Sequence, residues 1–82
     1  MYQVIVKHID GSETKLVAES KPLASFAVAS VVSVLHHAGI EPDQHDLDTM
    51  HLDEVNLILH MVKNDMVVAT ITATPISPMS LN

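Results

Sequence analysis

Apolar and polar positions alternate from the start of the chain. Tyr2, Val4, Val6 and His8 interleave with Gln3, Ile5, Lys7 and Ile9, the period-two pattern of a half-buried strand, so residues 2–9 are predicted to be extended. Asp10-Gly11 is a strong hairpin signal, because glycine adopts the positive φ of a tight turn without steric cost. A second strand over 13–19 is expected to return from it. With a three-residue loop, Asp10-Gly11-Ser12, Val4 and Val6 share a face with Leu16 and Ala18, while Lys7, Glu13, Lys15 and Glu19 fall on the other. A two-residue loop would mix the faces, so the longer one is preferred.

The period then changes. Residues 21–38 are predicted to be helical, with Ser20 as N-cap and Pro22 in the first turn, where its missing N–H costs nothing. Gly39 stands where a left-handed residue ends a helix, Ile40 can fold back on Leu35, and Pro42 blocks continuation. Ala24, Ala27, Val31, Val34, Leu35 and Ala38 form one broad apolar face. Ser25, Ala29, Ser33 and His36 lie opposite, with Phe26 and Val32 at the margins. Residues 22–40 carry no Asp, Glu, Lys or Arg, which raises the question of a membrane span. Three serines, His36 and His37 within the stretch, and the hairpin before it, favour a core helix instead. A helix uncharged on its solvent side is a candidate for a second contact.

The second half admits two readings. In one, residues 55–62 and 66–74 form a hairpin turned at Lys63-Asn64-Asp65, with Val67, Ala69, Ile71 and Ala73 inward and Val68, Thr70, Thr72 and Thr74 outward. In the other, residues 47–62 are a helix along Leu47, Met50, Val55, Ile58, Leu59 and Val62, with its acids near the N-terminus as the helix dipole favours. The hairpin is preferred because Val55, Asn56 and Ile58 are modest helix formers, although it leaves a long connection from Ile40 to Glu54. The predicted fold is α+β: a small antiparallel sheet with one long helix packed on one face, ββαββ, with ββααβ as the alternative. Residues 1–74 form a single domain, and 75–82, containing Pro75 and Pro78, are expected to be a flexible tail.

Composition sharpens this picture. Eighty-two residues make one domain with a thin core. One Phe, one Tyr and no Trp leave that core to aliphatic residues. There is no cysteine to form a disulfide, so self-association is a natural way to bury more apolar surface, and a homodimer is expected. Absence of cysteine and an N-terminus without a signal-like order fit a cytoplasmic location.

The net charge is −6, and all of it lies in one window. Glu41, Asp43, Asp46, Asp48, Asp53 and Glu54 stand together without a Lys or Arg, while the other four acids balance the four lysines. With no Arg and this charge, direct nucleic-acid binding is disfavoured. The acidic window can be a solvated stretch that keeps the chain soluble or a docking surface for a basic protein partner.

Six histidines invite a metal hypothesis, with His37, His45, His51, Asp46 and Asp48 as its weak candidate ligands. The spacing argues against it, since adjacent His36 and His37 project about 100° apart on a helix. A calcium loop begun at Asp46 would have His51 in place of glycine at its sixth position. Both glycines already serve turns, so there is no phosphate loop and no nucleophile elbow. The chain is therefore expected to be a non-enzymatic protein-binding module of adaptor or inhibitor type, without cofactor. It would act through segment 41–54 or through an apolar face of the sheet or helix, with Phe26 as a candidate contact. The alternatives are a metal- or pH-responsive protein using the His/Asp-rich segment 36–54, and a structural subunit of a larger assembly.

Overall fold

The computed structural model describes residues 1–49 and 57–76. Strands β1 (Tyr2–His8) and β2 (Glu13–Ala18) form the predicted hairpin, followed by helix α1 (Lys21–His37). A two-residue strand β3 (Glu41–Pro42) and a short helix α2 (Gln44–Thr49) fill much of the connection that had looked irregular, and β4 (Leu57–Lys63) and β5 (Met66–Pro75) complete the chain. The sheet is antiparallel throughout, in the order β2-β1-β5-β4-β3. The fold is thus α+β, with a long helix on one face. Residues 57–63 are a strand, which rejects the helical alternative for that stretch. Residues 50–56, which include Val55, lie outside the described residues.

Local chemistry explains each turn. In the first hairpin the three loop residues are Ile9-Asp10-Gly11, one position earlier than expected. His8 N–H donates to Ser12 O and Gly11 N–H to His8 O, both at 2.9 Å, with Gly11 at φ 89°. The Asp10 carboxylate accepts from both the N–H and the hydroxyl of Ser12, and this pins the turn. The faces survive the shift, because moving the register by two residues leaves side-chain parity unchanged. In the second hairpin Asn64 and Asp65 both adopt positive φ (53° and 62°), the conformation of a two-residue hairpin loop.

Helix α1 begins and ends as its sequence predicts. Ser20 is extended and its hydroxyl accepts from Leu23 N–H at 3.4 Å. At the other end Gly39 N–H donates to His36 O and Ile40 N–H to Leu35 O, the paired bonds of a Schellman cap, with Gly39 at φ 81°. Lys63 Nζ donates to Ala38 O, adding a cation at the negative end of the helix.

The core lies between α1 and the sheet. Val4, Val6, Ala18, Leu59, Met61, Ala69, Ile71 and Ala73 point toward the helix, which contributes Ala24 and Val28. Four of these ten buried residues are alanine, so the core is thin. Two inward assignments need correction. Val34 and Ala38 are exposed, and Val28, four residues after Ala24 but absent from the predicted apolar face, is buried. Val67 is exposed because the β4–β5 register slips between Met61 and Val62: Met61 faces Ala69 but Val62 faces Val67, so a bulge at Val68 reverses the alternation beyond it.

The end of β5 also departs from expectation. Pro75 sits opposite Tyr2, and Ile76 N–H donates to Met1 O. Residues 77–82 of the expected tail lie outside the described residues.

Topology fixes the path of α1. β2 and β3 are opposite edges of the sheet, and α1 connects them through two or three residues at each end. The helix must cross the full width of five strands, about 19 Å at the usual spacing, with a length of about 25 Å for its 17 residues. It runs diagonally and leaves the turn end of the first hairpin uncovered.

Candidate functional site

That uncovered corner is a cleft of about 260 Å³, walled by Val6, His8 and Thr14 from the hairpin and by Ser30, Val34 and Leu35 from the helix. It is open to solvent and largely apolar. The helix beside it carries an exposed apolar ridge. Leu23, Phe26 and Val34 are 54%, 71% and 68% exposed, and Phe26, Ser30 and Val34 follow one another at four-residue steps along one line of the helix. The Ser30 hydroxyl donates to Phe26 O at 2.9 Å, so its polar group is satisfied within the helix. Ridge and cleft share Ser30 and Val34 and make one continuous surface. The sequence places Phe26 at the margin of the helix's outer side, and it is exposed there; the cleft has no such signal, since it depends on the diagonal path of the helix.

The acidic window has a different character. Glu41 meets His36 Nδ1 at 2.6 Å, tying β3 to the end of α1. Asp43 caps α2, accepting from Asp46 N–H at 3.1 Å. Asp48 accepts from the Gln44 amide at 2.9 Å. Asp46 has the most constrained role. Its Oδ2 accepts from both the backbone N–H and ring Nδ1 of His60, each at 2.8 Å. β3 pairs only with Val62 and Met61, and Asp43 N–H takes the His60 carbonyl. The Asp46 carboxylate therefore acts as the missing strand partner for the next N–H along the β4 edge. Its carboxyl is held below the ordinary Asp range by the His60 backbone N–H first and the His60 ring second. All four described acids of the window thus have partners within the chain. Asp53 and Glu54 lie outside the described residues.

The His-rich candidates do not converge among the described residues. Among the described residues no three His, Asp or Glu side chains come together as a group able to hold a metal ion. His37 packs edge-on against His36, and His51 lies outside the described residues. Among the described residues no helix is long and apolar enough to cross a membrane.

The third surface is the sheet face away from α1. Ile58 and Val17 are exposed there, and Val67 joins Val62 beyond the bulge. Lys7, Glu13, Lys15 and the threonines of β5 interrupt these apolar positions, and Lys15 lies 3.5 Å from Glu13. This face mixes charge with isolated apolar groups, an ordinary solvent-facing composition. No protein-family model matches the chain, and no curated protein or solved structure matches it either.

Proposed function

We propose that this chain is a small, non-catalytic protein-binding module whose contact surface is the outward ridge of α1 with the adjoining cleft. One observation carries the reading: Leu23, Phe26 and Val34 stand exposed in a stretch, residues 22–40, that has no Asp, Glu, Lys or Arg. Charge depletion around a large aromatic is the composition of an interface centre, and Phe26 is the only Phe in the chain. The acidic window is the second candidate, favoured by its charge. Its described carboxylates, however, already cap, pair or replace strand contacts, and each would give up part of that role to bind a basic partner.

A photo-reactive phenylalanine analogue placed in turn at Phe26, Asp48 and Ile58 separates the surfaces in the native host. Illumination should give adducts from position 26, which is solvent-exposed and tolerant of an aromatic. Adducts confined to position 48 would assign binding to the acidic segment, and those confined to position 58 to the open sheet face. Either result contradicts the proposal.

A further inference from the structure

The ridge and the cleft are arranged about a point on the helix that makes the surface complementary to itself. We infer that the partner of α1 is a second copy of this chain, packed antiparallel across a two-fold axis through Ser30, with Phe26 of each copy entering the cleft beside Val34 of the other. This rests on the reading of the α1 ridge as the contact surface.

An isologous interface requires that every projection have its recess at the mirrored distance from the axis. Phe26 lies four residues before Ser30 and Val34 four residues after it, each about 6 Å along the helix. A two-fold axis through Ser30 therefore brings Phe26 of one copy against Val34 and the cleft of its partner, twice over. The three residues form an i, i+4 ridge, and two such ridges interdigitate in the commonest class of helix packing. Ser30 is small, so the helices can approach closely at the axis, and its hydroxyl is already bonded to Phe26 O.

Charge favours the same occupant and orientation. Two chains of net charge −6 repel, so they can join only where the acids are distant or matched. Overlap centred on Ser30 spans residues 22–38, all within the stretch that lacks Asp, Glu, Lys and Arg. Antiparallel order sets the positive N-terminal end of each helix, with Lys21, against the negative C-terminal end of the other, after which the acidic residues begin. The thin core supplies the motive, since a domain of this size gains stability from apolar surface buried between copies.

The chain contains no cysteine, which makes an engineered one a clean reporter. Sedimentation of the full chain at micromolar concentration should show a dimer. Phe26→Glu should weaken association by more than about tenfold, since the loss occurs twice per dimer, while its melting curve stays that of a folded domain. Ser30→Cys should cross-link to itself under mild oxidation, and Ser25→Cys, on another side of the helix, should not. A monomer overturns the inference, and so does a dimer that tolerates Phe26→Glu or links through Ser25→Cys instead. A monomer that still gives adducts from position 26 with a different protein would overturn the self-pairing while leaving the α1 surface in place.

Discussion

Ile71→Ala should destabilise the domain by about 2–5 kcal/mol, the range for truncating a fully buried branched side chain and leaving a cavity. Ile71 is 0% exposed, sits in the central region of β5, and is flanked across the ladder by Val6 and Leu59. Its neighbours cannot easily collapse into the gap, because Ala69 and Ala73 beside it on the same face have no side chain to extend. A domain of 82 residues holds only about 4–12 kcal/mol in total, so the variant should be substantially unfolded at temperatures where the parent is intact. Ile58→Ala is the matched control. The same residue type, 62% exposed on the open face, should change stability by no more than about 0.5 kcal/mol. Urea denaturation midpoints of the two variants give the comparison directly, and equal losses would show that the helix-covered face is not the core.

The second large effect belongs to Asp46. Asp46→Ala should cost about 1–3 kcal/mol, because it leaves the half-buried His60 N–H without its acceptor and cuts the bond from α2 to the sheet edge. Asp46→Asn should cost less, since its amide oxygen can still accept from the backbone N–H. The pH dependence has a definite sign. The folded value of Asp46 lies below its unfolded value, so its stabilisation is complete above the unfolded value and is lost as pH falls through the folded one. The parent should therefore lose stability below about pH 4 more steeply than Asp46→Asn does. Thermal melts of both proteins between neutral and acidic pH measure the difference, and parallel curves would mean that Asp46 contributes nothing through its charge.

Much of the architecture was legible in the sequence because local chemistry and pattern agreed. Asp10-Gly11 marked the first turn, Ser20 and Gly39 marked the helix ends, and the alternation from Ala69 to Ala73 marked the buried face of β5. The misreadings share a cause in long-range geometry. Val34 belongs to the helix's apolar arc, but the diagonal path of α1 carries it away from the sheet and Val28 toward it. Val67 continues the inward alternation by count, yet the bulge at Val68 turns it outward. The acidic window read as one block of charge, whereas His36 and His60 draw its carboxylates into separate structural roles. The Asp46–His60 contact spans fourteen positions, and no local signal announces it.

Binding through α1 requires that its ridge be covered when the protein works. Hydroxyl-radical footprinting measures this side chain by side chain, comparing the dilute purified chain with the same chain inside its host. Phe26 should be labelled strongly when dilute and should be protected in the cell, with Ile58 labelled alike in both. Undiminished labelling of Phe26 in the cell would show that the ridge faces water there, and would contradict the proposed binding surface.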